Sequence, residues 1–460
     1  MGEKVDWDPP ISLEPLKERK SLHEFQEAVE RRLERSPGGA VAVFNMRQFK
    51  YINESFGREK GDQLLAGVIS AMSQRKKKEE LFCWVGGDVF YVFIDKWDRD
   101  YVRQRLESYL RGAARVSMRI LKNSQAAFYC GAVISNPESA TENYSLERML
   151  THVMYALEKA KEFPGNKIWF FDAELHKKEL QENRVELQMQ RALREEEFKL
   201  YLQPKVDPVT RQLKGAEALV RWYMPKPDPD PDSNADPDPE KDYILIPPGE
   251  FMPVFERTGF SSRLDQHMLQ EVGNLLRSWR KKGIRPIPLS VNLSRKALFE
   301  ESYIRTLEWV KANYQIKNGE ITLEILESVA FGNLEIANEI LEKVRNMGYR
   351  ISMDDFGSGY SSLNVLAKLK IDELKIDQAF LRGMEKGSRE ERILETIMKL
   401  AKDLNIPTVV EGVETLDHET LVKSLGCGCV QGYLYSRPIS ACEFTEKFMK
   451  DSQNGYQFQI

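Results

Sequence analysis

Residues 350–363 read RISMDDFGSGYSSL: a short apolar run, two adjacent aspartates, then a loop of glycine and serine. The run Arg350–Met353 suits a buried strand, and the chain turns polar directly after it. The same unit recurs on both sides. Runs at Leu213–Val220, Ile287–Val291, Ile321–Ile325, Glu373–Ile376, Thr408–Val410 and Val430–Leu434 alternate with helical stretches such as Leu264–Trp279 and Arg392–Leu404. Strand-then-helix units over about 250 residues predict a parallel sheet closed into a (β/α) barrel.

In such a barrel, functional side chains collect where strands end at the C-terminal face. Those ends are polar here. Glu217 lies late in its run, Asn292 follows Val291, and Glu324 lies near the end of Ile321–Ile325. Asp354 and Asp355 follow Met353, Lys375 lies within Glu373–Ile376, Glu411 follows Val410, and Gln431 sits in the last run. One strand-end carboxylate is commonly a helix cap. Carboxylates and an amide at the ends of five consecutive strands converge on one rim. Converging like charges repel unless cations neutralise them. Hard oxygen ligands suit Mg²⁺ or Mn²⁺. Adjacent Asp354 and Asp355 could bridge two ions, and ions about 3.5–4 Å apart suit a phosphodiester displacement. The residues alone imply a divalent-metal phosphoesterase or a related lyase.

Composition narrows the classes. The chain has 460 residues, 42% apolar and 30% charged, with a net charge of -4. That balance argues against a polymeric nucleic-acid partner, which calls for a basic excess, but not against a small anion held by a few local cations. Five scattered cysteines make no disulfide framework and fit a reducing compartment; Cys427-Gly428-Cys429 reads as a packed turn. The five histidines stand in no metal-binding or triad context. There is no apolar signal core, and no stretch approaches the ~18 residues of a membrane span, so a cytoplasmic protein is expected.

The N-terminal half has another rhythm. After a leader over 1–20, Leu22, Phe25, Val29 and Leu33 mark an amphipathic helix that ends at Pro37-Gly38-Gly39. Ala40–Phe44 reads as a buried strand, and Asp62–Met72 as a helix. Leu81–Val85, Gly86-Gly87 and Phe90–Ile94 read as a hairpin. An α+β domain over 21–172 is expected, then a connecting helix over 173–197, then the barrel domain over 198–460. Pro225–Asp242, PKPDPDPDSNADPDPEKD, cannot form a core. It is expected as a mobile acidic loop between the Leu213–Val220 strand and the next helix.

The strand-end residues also form ordered motifs. Gln203-Pro204-Lys205, Glu217-Ala218-Leu219-Val220-Arg221-Trp222, Val291-Asn292-Leu293-Ser294, Leu323-Glu324, Asp354–Leu363, Lys375-Ile376-Asp377, Glu411-Gly412-Val413-Glu414 and Gln431-Gly432-Tyr433 resemble the EAL domain in order and type. The resemblance implies a modified TIM barrel, an α/β fold, that hydrolyses cyclic di-GMP to linear pGpG with two Mg²⁺ or Mn²⁺ ions and forms a homodimer through this domain. By the same resemblance Glu217, Asn292, Glu324, Asp354 and Asp355 are metal ligands, with Glu411 at the second ion. Glu217, Asp355 and Glu411 count with Lys375 as the catalytic set, Lys375 positioning or deprotonating the attacking water. Gln203, Arg221, Glu414 and Gln431 are substrate contacts; the fork of Arg221 suits a phosphate. Glu327 steadies the Asp355–Ser362 loop. One departure stands out: Leu326 occupies the position of a threonine in the family's Leu-Glu-Ile-Thr-Glu.

Phe49-Lys50-Tyr51-Ile52-Asn53, Gly57, Gly61-Asp62 and Gly86-Gly87-Asp88-Val89-Phe90 resemble the GGDEF domain, the cyclic di-GMP synthase module. Asn45 and Arg47 stand at its acidic positions, and Val89 at the glutamate of the name motif. Cyclase chemistry needs acidic ligands for Mg²⁺, so an inactive cyclase with a regulatory or structural role is expected. The family's product-inhibition residues are replaced by Lys77 and Glu80, while Asn53 and Asp62 match guanine-reading positions, where GTP is a candidate ligand. Two functions result: a phosphodiesterase beside an inactive cyclase or, alternatively, a cyclic di-GMP receptor with little turnover, to which Leu326 points. A protein-interaction scaffold is a third reading and predicts no nucleotide binding.

Overall fold

The computed structural model describes residues 12–17, 21–122, 126–139, 141–163, 167–226, 242–327, 334–357, 363–384, 387–450 and 456–459. The chain divides into two compact units, Met1–Glu179 and Leu180–Ile460.

The first unit is built on a sheet of five strands: β1 (Gly39–Met46), β2 (Leu81–Gly86), β3 (Val89–Ile94), β4 (Phe128–Ser135) and β5 (Lys167–Phe170), in the order β2-β3-β1-β4-β5. All pairings are antiparallel except β4 with β5. The central strand β1 is apolar from Ala40 to Phe44 because both faces are covered there. Ala40, Ala42 and Phe44 share one core with Leu64 and Val68 of α3 (Arg58–Arg75) and Leu106 of α4 (Arg99–Ile120). Val41 and Val43 share the other with Phe25 of α1 (Leu22–Leu33) and Val153 of α5 (Leu146–Lys161). α2 (Phe49–Phe56) precedes α3. α1 starts at a capping box in which Ser21 and Glu24 bind each other's backbone N–H. Gly131 lets α5 approach the sheet: a Cβ there would meet the Leu157 nitrogen at 2.3 Å.

α6 (Ala173–Arg194) contributes Val185, Met189 and Ala192 to the core of the second unit. That unit contains β6 (Phe198–Val206), β7 (Leu213–Pro225), β8 (Tyr243–Ile246), β9 (Leu289–Leu293), β10 (Ile321–Leu326), β11 (Arg350–Phe356), β12 (Glu373–Ile376), β13 (Thr408–Val410), β14 (Cys429–Val430) and β15 (Ile439–Ser440). The order β6-β14-β13-β12-β11-β10-β9-β7, closed by pairing of β7 with β6, makes an eight-stranded barrel. β6 runs antiparallel to both neighbours; the other ladders are parallel. α7 (Pro248–Thr258) and α8 (Ser261–Lys281) cover the outside, α8 burying Leu264, Met268, Val272, Leu276 and Trp279.

Two features differ from expectation. β6 interrupts the strand-then-helix alternation, which a barrel modified at its first strand requires. β7 also runs on to Pro225 and pairs with β8, so residues 226–242 join two antiparallel strands instead of leading to a helix. Residues 227–241 of that insertion lie outside the described residues. Among the described residues no helix is long and apolar enough to cross a membrane.

Candidate active site

Alternation along each strand decides which side chains enter the barrel. Gln203 faces Glu217 across the β6–β7 ladder, and Glu324 lies level with Asn292 and Ser352. These positions bring the polar strand ends to one place, and Lys375 of β12 sits at its centre, 1% exposed. Its Nζ is 2.8 Å from Glu324 Oε2, 2.8 Å from Glu411 Oε1, 3.0 Å from Asp354 Oδ1 and 3.3 Å from Glu217 Oε2. Glu217 also accepts from Asn292 Nδ2 at 3.0 Å and from Gln431 Nε2 at 2.6 Å. Gln431 Nε2 reaches Gln203 Oε1 at 2.9 Å, and Gln203 donates to the Ser436 carbonyl at 3.2 Å.

The two aspartates need a local irregularity, because neighbours in a regular strand point to opposite faces. The β11–β12 ladder shifts register between Met353 and Phe356, and Asp355 takes a left-handed φ of 55°. Asp tolerates that conformation better than most side chains. Carboxylate oxygens of Asp354, Asp355 and Glu411 thereby come within 4.8 Å of one another.

Crowding of like charge shows in the proton affinities. Burial pushes Asp354 up to about 7; Lys375 pulls it down, while Glu324 and Glu411 add to the rise. Burial also raises Glu217, with Glu324 contributing. It raises Glu411 against the pull of Lys375, and Asp355 with help from Asp377. Glu324 goes the other way: burial raises it, but Lys205 and Lys375 together hold it down at about 2. Six carboxylates, Glu373 beside Lys205 included, thus face two buried ammonium groups, an excess of negative charge that divalent cations offset. The clustered hard oxygens fit such ions.

The sequence reading assigned no role to Lys205. It lies two residues beyond Gln203 on β6, so it faces the same interior, and it is 4% exposed. Alternation along β6 is the signal that finds it.

A cavity of about 210 Å³ opens beside the cluster, lined by Gln203, Glu217, Glu411, Glu414, Gln431 and Tyr433 among others. Arg221 is not brought into it. Its guanidinium lies 5.6 Å from the Tyr201 ring centroid, and Nη1 donates to the Val220 carbonyl at 2.9 Å. Glu327 is buried. Most of the loop assigned to its support, residues 358–362, lies outside the described residues. In the first unit Asn45 pairs with Val89 across the ladder, and burial raises Asp88, which accepts from Asn45.

Fold and site define a modified (β/α) barrel with an acidic, lysine-centred pocket inside its wall, preceded by an α+β unit. Residues 186–438 match the family model of the EAL domain, and residues 15–167 match that of the diguanylate cyclase, GGDEF domain. The chain belongs to the EAL domain family and carries a GGDEF domain before it. It is 27% identical over 423 residues to the bifunctional diguanylate cyclase/cyclic di-GMP phosphodiesterase MucR of Pseudomonas aeruginosa, covering 91% of this chain and 58% of that protein. It is 28% identical over 439 residues to the cyclic di-GMP phosphodiesterase NbdA of the same organism, covering 95% of this chain and 53% of that protein. The chain thus spans little more than half the length of these curated relatives. A solved structure described as "PaMucR Phosphodiesterase, c-di-GMP complex" superposes with a TM-score of 0.50 at 31% identity, covering 57% of this chain and 99% of that one.

Proposed function

We propose that the barrel hydrolyses cyclic di-GMP to linear pGpG with the help of Mg²⁺ or Mn²⁺. The observation that carries this reading is the meeting of carboxylates from four strand ends and an amide from a fifth around one buried lysine. The phosphodiesterase activity named for MucR and NbdA supports it.

Glu217, Asn292, Glu324, Asp354, Asp355 and Glu411 would hold the cations. When bound, these ions supply positive charge that stabilises the attacking and leaving oxygens of the displacement. Lys375 is surrounded by carboxylates that raise its affinity for its proton against the effect of burial, and it positions or deprotonates the attacking water. Gln431 Oε1 is buried without a partner among the described residues, and a purine N–H of the substrate would satisfy it. Gln203 and Glu414 line the same cavity. Arg221 swings from Tyr201 to a phosphate oxygen. Glu327 supports the following loop, and the barrel mediates a homodimer.

The test is to add cyclic di-GMP with Mg²⁺ or Mn²⁺ and follow pGpG. Asp354→Asn should abolish turnover; equal activity in that variant would trace the product to a contaminant. Tight binding without product would establish the receptor reading, which Leu326 favours. The GGDEF unit is proposed to make no cyclic di-GMP from GTP, because Asn45 and Val89 offer no carboxylate. Asn53 Oδ1 is buried without a partner among the described residues, which leaves GTP as a candidate regulatory ligand.

A further inference from the structure

A barrel interior is ordinarily filled by branched apolar side chains. Lys205 breaks that rule at 4% exposure. Its Nζ lies 2.7 Å from Ser290 Oγ, 2.8 Å from Glu324 Oε1 and 3.2 Å from Glu373 Oε1. Three acceptors use all three ammonium hydrogens. The acceptors stand on β9, β10 and β12, so one ammonium from β6 ties three other strands together. A cavity of about 600 Å³ lies on its far side, lined by Lys205, Ser290, Thr322, Arg350, Glu373 and Cys429 among others. Lys205 therefore stands between that cavity and the acidic cluster.

Its effect on the cluster runs through Glu324. That carboxylate is held at both ends, Oε1 by Lys205 and Oε2 by Lys375 at 2.8 Å. With both oxygens engaged, its plane is fixed. If Lys205 were removed, Glu324 could turn both oxygens onto Lys375. That would draw Nζ away from Glu217, Asp354 and Glu411, which it reaches at 3.3, 3.0 and 2.8 Å. Burying an ammonium carries a desolvation cost that an apolar side chain of similar volume would avoid. Filling space does not explain a lysine here, whereas orienting a carboxylate does.

We propose that Lys205 is a positioning residue that fixes Glu324 for cation binding, with Ser290 and Glu373 holding the lysine in turn. This inference rests on the phosphodiesterase reading and deepens it. Outer partners of metal ligands commonly control affinity or activity by about 10–100-fold. Lys205→Met keeps the stem and removes the charge. In the full chain it should weaken Mn²⁺ binding, read by calorimetry, by about 10–100-fold and lower kcat comparably. KM for cyclic di-GMP should change by less than about threefold, since substrate contacts remain. Ser290→Ala removes one acceptor and Glu373→Gln removes the negative charge of another; each should give smaller losses in the same direction, which keeps the test open if Lys205→Met does not fold. Lower thermal midpoints with Mn²⁺ affinity and kcat unchanged in all three variants would leave Lys205 a purely structural residue and overturn the inference alone. A wild-type chain that neither binds Mn²⁺ nor makes pGpG would overturn the functional reading and this inference with it.

Discussion

Leu326 ends β10 two residues beyond Glu324, so it projects to the same face, and it pairs with Asp354 across the ladder. At 37% exposure its isobutyl group stands at the rim of the acidic pocket, where the family pattern has a hydroxyl. An apolar tip there cannot hydrogen-bond the neighbouring loop or an ordered water. Leu326→Thr should change stability by no more than about 0.5 kcal/mol, as for other half-exposed sites. It should raise kcat for cyclic di-GMP by about three- to tenfold with little change in nucleotide affinity, an effect confined to the transition state. An unchanged kcat would clear Leu326 of limiting turnover. The neighbouring residues show how far single positions can be read from sequence. Glu217, Glu324, Asp354 and Glu411 stood out because each carboxylate lies late in an apolar run or directly after one. Lys205 did not, since its strand is broken by other polar residues, Lys199 and Gln203. Arg221 was expected to meet a phosphate group, but its position over Tyr201 depends on a rotamer that no motif encodes.

At the scale of elements, the parallel strands were legible because strands buried on both faces are continuous apolar runs. β6 was not, because inward polar side chains alternate along it, and the length of β7 was cut short for the same reason at Arg221. The joining of β7 to β8 depends on a four-residue strand too short to carry a period of its own. One helix-to-loop contact gives a pH prediction. Asp265 of α8 is 6% exposed and accepts from the Ser294 N–H at 2.9 Å, tying α8 to the segment after β9. Burial pushes it up to about 7, against hydrogen bonds from Ser294 that pull it down. A carboxyl whose folded value exceeds its unfolded value of about 3.9 binds its proton more tightly in the folded chain. Its stabilising contribution is therefore full below about pH 4 and is lost as pH rises to about 7. Asp265→Asn keeps an acceptor for Ser294 and removes the charge. Relative to wild type, its urea stability should rise between pH 4 and pH 8, gaining about 2–4 kcal/mol at the upper end. Parallel stability curves for the two proteins would show that Asp265 does not titrate in that window.

At the scale of the molecule, each unit closes its own apolar core, one on each face of the first sheet and one through the barrel. A unit as large as the second buries enough surface to fold alone. Where it can be cut is set by α6. Val185, Met189 and Ala192 belong to the barrel core, and Glu197 accepts from the buried Trp222 Nε1 at 2.8 Å. A fragment of residues 180–460 keeps all of these contacts. A fragment of residues 198–460 uncovers the apolar surface beneath α6 and leaves the indole N–H without its acceptor. Each large apolar side chain lost exposes surface worth about 1.5–3 kcal/mol, and an orphaned buried donor costs about 1–3 kcal/mol more. The longer fragment should be monodisperse, unfold in one cooperative step and hydrolyse cyclic di-GMP in the presence of Mn²⁺. The shorter one should lose about 4–8 kcal/mol and unfold at a lower urea concentration, or fail to stay in solution. Equal urea midpoints for the two fragments would show that the later turns of α6 add nothing to the barrel, and the catalytic unit would then begin at its first strand.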